Sequence, residues 1–176
     1  MRLKKEFWKN KKVLITGHTG FKGAWLSLIL HKLGAKIYGY SLKPKKNSLY
    51  NKLNIQSFIK KSYLKDIRNY SNLKNSLNET NPDIIFHLAA QPLVLNSYQN
   101  PTDTFDTNII GTINLLEAIR LKKKSKIKSA IIITTDKVYD TTKKKFFVEN
   151  DKLGSSDPYS TSKACCELIC NSYIKS

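Results

Sequence analysis

Lys12-Val13-Leu14-Ile15-Thr16-Gly17-His18-Thr19-Gly20-Phe21-Lys22-Gly23 is the stretch on which the architecture turns. An apolar run with β-branched residues enters a Gly-x-x-Gly-x-x-Gly loop, and the chain continues with apolar residues at helical spacing. A short apolar run closed by glycine reads as a buried strand. Phe21, Trp25, Leu28, Ile29 and Leu33 then mark a helix that Gly34 ends. Strand, glycine turn and helix in this order make a phosphate cradle. Glycine lets the backbone come close to a pyrophosphate, and the helix N-terminus supplies free N–H donors and the positive end of its dipole. The spacing differs from the Gly-x-Gly-x-x-Gly of ordinary dehydrogenases, and a glycine turn without a ligand is the alternative at this point.

Working outward, Lys36–Tyr40 reads as a second strand and Pro44–Asn54 as a polar connection. A short strand around Tyr63–Lys65 ends at Asp66. Tyr70, Leu73 and Leu77 share one face of a helix that stops before Pro82, and Asp83–Ala89 is a fourth strand, apolar on both faces. Pro101 opens a long helix to about Lys122, with Phe105, Ile109, Thr112, Ile113, Leu116 and Ile119 as its expected inward stripe. Ala130–Thr134 is a fifth strand, Phe146–Gly154 a loop, and Pro158 starts a last helix that reaches the C-terminus. Strands alternating with helices predict an α/β domain of doubly wound, Rossmann type, with a parallel sheet covered on both faces. The 176 residues fit one such domain, with no internal repeat and no linker.

The formal net charge is +18, a balance that invites polyanionic partners. Only Arg2, Arg68 and Arg120 are arginines, however, so 28 of the 31 basic residues are lysines. Readers of nucleic-acid bases lean on arginine for bidentate contacts, so no nucleic-acid partner is expected. Abundant Lys, Asn and Ile share A/T-rich codons, and the lysine clusters at 43–46, 122–128 and 143–145 read as solvated surface. No apolar run approaches the roughly 20 residues of a membrane span, and Val13-Leu14-Ile15 is too short for a signal-peptide core. A cytoplasmic protein without a membrane partner is expected. Cys165, Cys166 and Cys170 are bunched and lack zinc-type spacing, so they read as packing residues and no metal is expected.

Two further clusters carry chemistry. Tyr159 and Lys163 stand four apart on the last helix and so share a face. An ammonium beside a phenol favours the phenolate, which makes the pair a candidate general base. Thr134-Thr135-Asp136-Lys137 follows the fifth strand, and ligands of doubly wound sheets bind beyond the carboxyl ends of strands. The bland alternative is a strand-end turn with Asp136 bonded to backbone.

Together, the glycine loop, Thr135-Asp136 and Tyr159/Lys163 resemble the extended short-chain dehydrogenase/reductase family. Phe7-Trp8, His18-Thr19-Gly20-Phe21-Lys22-Gly23, His87-Leu88-Ala89-Ala90-Gln91-Pro92-Leu93-Val94, Ser97-Tyr98, Thr135-Asp136-Lys137-Val138-Tyr139 and Asp157-Pro158-Tyr159-Ser160 are similar to its CDP-glucose 4,6-dehydratase subfamily. The resemblance spans nearly the whole chain. It implies an NAD-dependent lyase that oxidises C4 of a nucleotide sugar, eliminates water across C5–C6 and returns the hydride to C6. By the same resemblance Tyr159 accepts the O4 proton, Lys163 lowers its pKa and holds the ribose, and Thr135 bonds O4. Asp136 protonates the leaving O6, and Lys137 occupies the place of the C5 base. Gly17, Thr19, Gly20, Phe21, Lys22 and Gly23 meet the dinucleotide phosphates, Asp66 and Ile67 the adenine edge, and Leu88, Ala89, Ala90 and Gln91 the cofactor channel. Gln91, Tyr98 and Thr135 approach the sugar.

The sequence departs from the subfamily at three places. Tyr40-Ser41-Leu42-Lys43 offers no acid for a ribose 2′-hydroxyl, which leaves NADP open beside NAD. Leu95-Asn96 stands where basic character is expected. The chain stops at Ser176, so it reads as the N-terminal part of an enzyme, without a sugar-nucleotide-binding domain, whose full-length form is a homo-oligomer. A related epimerase and a non-catalytic dinucleotide-binding remnant are the alternatives.

Overall fold

The computed structural model describes residues 4–140 and 146–176. Five strands, β1 (Lys12–Thr16), β2 (Lys36–Ser41), β3 (Lys61–Leu64), β4 (Ile84–His87) and β5 (Ser129–Ile132), form one sheet in the order β3-β2-β1-β4-β5. All four pairings are parallel, with Val13 opposite both Ile37 and Ile84. β1 is central, and the direction of winding reverses between β1 and β4. A ligand crevice lies beyond the strand ends at such a switch point.

The core explains the apolar β1. Val13 and Ile15 point to one face and pack with Ala24, Leu30, Ile37, Tyr50 and Ile55. Leu14 points to the other and packs with Tyr40, Leu73, Leu77, Ile85 and Leu115. A strand covered on both faces has no position for a polar side chain, so its alternation disappears. The first face is covered by α2 (Phe21–Lys32) and the short α3 (Leu49–Lys52), after an N-terminal turn α1 (Lys5–Trp8). The second is covered by α4 (Tyr70–Thr80), the pair α6 (Pro101–Phe105) and α7 (Gly111–Arg120), and α8 (Pro158–Lys175). A short α5 (Val94–Gln99) packs on α8. No helix among the described residues is long and apolar enough to cross a membrane.

The sheet and the main helices stand where the pattern puts them, and three details differ. The connection 44–54 is not featureless: Ser48 caps α3 and Tyr50 enters the core, joined by Ile55 just beyond it. Helix α2 turns Gly23, Ala24, Ser27 and Leu30 inward, while Phe21, Trp25 and Ile29 are exposed. Only small residues let this helix sit close on the glycine loop. The long helix from Pro101 contains a π-turn, Asp106–Ile110, and buries Thr104, Asn108, Thr112 and Leu115 instead of the expected apolar stripe, of which Thr112 alone is fully buried. The cluster at 143–145 lies outside the described residues.

Candidate active site

The loop after β1 is held from three sides. The Gly17 N–H donates to the Tyr40 carbonyl at the end of β2 (2.8 Å), and Gly20 N–H returns to Gly17 O (3.0 Å). Gly17 has φ +74°, and a Cβ there would lie 2.7 Å from Ala89 N. At Gly23 a Cβ would fall 2.2 Å from Gly17 O. Both glycines are therefore required by close backbone approach. Gly20 differs: it is exposed, and a Cβ would meet only Gly17 O at 3.3 Å. As N-cap of α2 it brings no side-chain acceptor, which leaves the amides of the first turn to face the crevice. The residues present fit a dinucleotide pyrophosphate.

His18 anchors the loop. Its ring is fully buried against Gly39, where a Cβ would fall 2.3 Å from the imidazole, and Nε2 shares a proton with Ser62 Oγ at 2.8 Å. Burial pushes its pKa down to about 4. Thr19 Oγ1 lies 2.7 Å from Ser41 Oγ and donates to the Leu42 carbonyl (3.0 Å). Thr19 thus ties the loop to the end of β2 with its hydroxyl while its backbone stays in the cradle. Phe21 and Lys22 are exposed at the mouth.

After β3, Asp66 is engaged by Arg68, which reaches on to Asp103 of α6 (2.8 Å). The guanidinium holds the Asp66 carboxyl below the usual carboxylate range. Ile67 is buried against Gly111, where a Cβ would lie 2.8 Å from its Cγ2. The π-turn leads directly into that glycine, which lies where the loop after β3 crosses the helix.

A buried polar network joins the segment after β4 to α8. Thr112 Oγ1 donates to the Asn108 carbonyl (2.6 Å), so its single proton is spent there. His87 Nε2, 3.1 Å from Thr112 Oγ1, must then carry the hydrogen, and its Nδ1 accepts from Thr16 Oγ1 (2.7 Å). Thr16 Oγ1 in turn accepts from Ala89 N–H (3.1 Å). Beside this row Asn108 bonds both backbone groups of Gln91 and donates to Ser162 Oγ (2.8 Å), which donates to the Tyr159 carbonyl. Gln91 also donates to Thr104 (2.9 Å). Burial, helped by the charge of Lys163, pushes His87 down to about 3.

On α8, Asp157 caps the helix, and Pro158 stands in its first turn. Lys163 is 6% exposed and donates to the Ile133 carbonyl at 3.0 Å. Burial pulls its pKa below the ordinary lysine value. Tyr159 is half-buried one turn earlier, and its N–H donates to Ser97 Oγ of α5 (3.2 Å), which sets the exposed Tyr98 beside the same helix end. Thr135 caps a 3-10 turn, Asp136–Val138, that packs on α8. Asp136 and Lys137 are exposed on it, and Thr135 Oγ1 donates to Asp136 (3.1 Å). Thr134 is bonded to Glu167. Leu88, Ala89 and Ala90 are half-buried in the segment after β4. Burial raises the thiols of Cys166 and Cys170, which suits packing groups rather than nucleophiles.

The structure therefore brings together the glycine loop, the end of β2, the segment after β4, the turn after β5 and the N-terminal end of α8. His18, His87, Asn108, Thr112 and Ser162 do not stand out by residue type. The recurrence of Thr104, Asn108 and Thr112 every four positions is the signal that identifies their helix face.

Both buried histidines make the fold acid-sensitive. Between about pH 6.5 and pH 4 the unfolded chain binds protons that the native imidazoles refuse, so stability falls as pH falls. Between pH 6.5 and 5 the loss should reach about 3 kcal/mol for the pair. Urea unfolding at the two pH values measures it, and equal midpoints would contradict the buried neutral state.

The profile of the GDP-mannose 4,6 dehydratase family matches residues 14–176. The chain belongs to this family. Within it, the chain is 44% identical to the CDP-glucose 4,6-dehydratase of Salmonella typhimurium over 98% of its own length and 48% of that protein. It is 33% identical to a GDP-mannose 4,6-dehydratase of Vibrio cholerae, over 95% and 47%. Among solved structures, UDP-glucose 4-epimerase from Thermotoga maritima, with UDP-glucose, superposes with a TM-score of 0.80 at 25% identity over 93% of this chain and 51% of that one. The epimerase of Brucella ovis in complex with NAD gives 0.81 at 21%, over 94% and 48%, a likeness of fold. This member of the dehydratase family spans about half the length of the curated relatives it matches.

Proposed function

We propose that the chain forms the NAD-binding and catalytic half of a nucleotide-sugar 4,6-dehydratase that acts on CDP-glucose. The observation that carries this reading is the 44% identity to the Salmonella enzyme along 98% of the chain, supported by the packing of the turn that holds Thr135, Asp136 and Lys137 on the helix that holds Tyr159 and Lys163. Gly17, Thr19, Gly20, Phe21, Lys22 and Gly23 hold the pyrophosphate, and Asp66 and Ile67 the adenine. Leu88, Ala89, Ala90 and Gln91 line the channel between them. NAD, when bound, supplies the acceptor for the C4 hydride and gives it back at C6. Tyr159 takes the proton from O4, Lys163 stabilises the phenolate and binds the ribose, and Thr135 orients O4. The resulting ketone acidifies C5–H. Lys137 removes that proton, the C6–O bond breaks, and Asp136 protonates the departing hydroxyl, so water leaves. Tyr98 and Gln91 contact the sugar. An epimerase has no elimination to catalyse and no use for the acid and amine at 136 and 137.

Gly20→Val tests the cradle. Its Cβ meets one neighbour at 3.3 Å, so the fold survives, whereas the side chain stands where the pyrophosphate enters. Calorimetry should show NAD affinity reduced at least tenfold, a loss of about 1.4 kcal/mol. Unchanged affinity would remove the site.

A further inference from the structure

We infer that the outer layer formed by α2 and the α3 segment docks on an anionic lipid bilayer, a partner the sequence reading did not expect. Helix α2 has apolar side chains all the way round. Ala24 and Leu30 point into the core, Leu26 and Leu28 flank them, and Phe21, Trp25 and Ile29 form a stripe on the outer side. Phe21 is 71% exposed, Trp25 43% and Ile29 44%. A helix without a polar face is normally one that something covers. Helix α4, of similar length on the other face of the sheet, shows the contrast: its outward positions are Ser71, Lys74, Asn75, Asn78 and Glu79.

The charge around the stripe selects the covering partner. Lys22 and Lys32 are exposed on α2, and Lys43, Lys45, Lys46 and Lys52 are exposed on and before α3, which packs beside α2. From Phe7 to Lys65 the chain has no aspartate, glutamate or arginine. Trp, Phe and Ile among clustered lysines are the pattern of a helix that lies in the interface of an anionic membrane. The apolar groups enter the headgroup boundary, and the ammonium groups meet the lipid phosphates. A second copy of this face would set like charge against like. A nucleic acid would find no arginine, and the stripe follows the convex side of a helix rather than a groove. Lying on a bilayer needs no apolar span, so the expectation drawn from the lack of one does not bear on it.

The test is cosedimentation of this chain with vesicles of phosphatidylcholine alone and of equal parts phosphatidylcholine and phosphatidylglycerol. Binding should require the anionic lipid, weaken as salt rises and shift Trp25 emission to the blue. Trp25→Phe should abolish the shift and keep the binding. Trp25→Ser with Ile29→Ser should weaken binding by about tenfold or more. So should Lys45→Glu with Lys46→Glu, since both side chains are exposed and only the backbone carbonyls hold Asn51. Lys123→Glu with Lys126→Glu makes the same change in net charge beyond the end of α7, which covers the opposite face, and should weaken binding far less. No binding to anionic vesicles at low salt overturns the inference. An unmoved Trp25 emission overturns it too, as do equal losses from the two charge pairs, which would mean attraction by net charge alone. Tighter binding of a single-stranded oligonucleotide, lost in the Trp25/Ile29 variant, would assign the face to nucleic acid instead.

Discussion

Tyr159→Phe should slow reduction of bound nicotinamide by about 10²–10⁴-fold, the usual contribution of a positioned general base. The measurement is single-turnover absorbance in a chimera that joins this chain to the second half of the Salmonella relative, of which it matches 48%. Phenylalanine keeps the ring that packs at the start of α8, and the Tyr159 N–H bond to Ser97 is made by backbone, so the helix end stays in place. Only the proton acceptor goes. A near-normal rate would dismiss Tyr159 as the base. In the same chimera Lys137→Ala separates the two halves of the reaction: C4 oxidation should persist, while exchange of the C5 proton with deuterated buffer should stop. Normal C5 exchange would leave Lys137 without the base role and reduce the proposal to a generic member of the family.

Gly23→Ala should be the most damaging single methyl in the chain. Its Cβ would fall 2.2 Å from Gly17 O and 2.7 Å from His18 Cα. Both are backbone atoms of the loop, so no side chain can swing away. Either α2 lifts from the sheet, exposing Ala24 and Leu30, or the loop shifts and loses its fit to pyrophosphate. Overpacking of this kind costs about 1–3 kcal/mol, and a chain of this size loses roughly 2–4 °C of Tm for each. A melt lowered by about 3–10 °C, with NAD binding weakened beyond detection, is the expected result. A variant that melts and binds like the parent would mean that helix and loop do not touch as described.

Gly23 also shows what could be read from residue types. Strand β1 and the glycine loop were legible because each rests on local spacing: a run of buried side chains, then a turn. The faces of α2 and of the helix from Pro101 were not. Hydrophobic periodicity assumes that large apolar side chains point inward. In α2 the close approach of two backbones reserves that side for Gly23, Ala24 and Ser27, and turns Trp25 and Ile29 outward. In the long helix the inward face is occupied by Thr104, Asn108 and Thr112, which bond Gln91, Ser162 and His87. A buried polar face reads as solvent when only hydropathy is followed, and the π-turn shifts the register as well. The short α3 escaped because its one buried residue, Tyr50, gives no periodic pattern in a largely polar connection.

The row from Ala89 through Thr16, His87 and Thr112 to the Asn108 carbonyl has a consequence for how this region responds to change. Each member gives its hydrogen to the next, so the row has a polarity, like a line of people facing the same way. No single member can turn round. If His87 took a second proton, its Nδ1 would become a donor, and the Thr16 hydroxyl would face two givers with nowhere to send its own hydrogen. The ends of β1 and β4, the segment after β4 and the helix around Asn108 and Thr112 therefore keep or lose their alignment together. The imprint of this is spectroscopic: the two His87 nitrogens should give nitrogen-15 resonances far apart, one pyrrole-like and one pyridine-like, that hold steady across the range in which exposed imidazoles titrate.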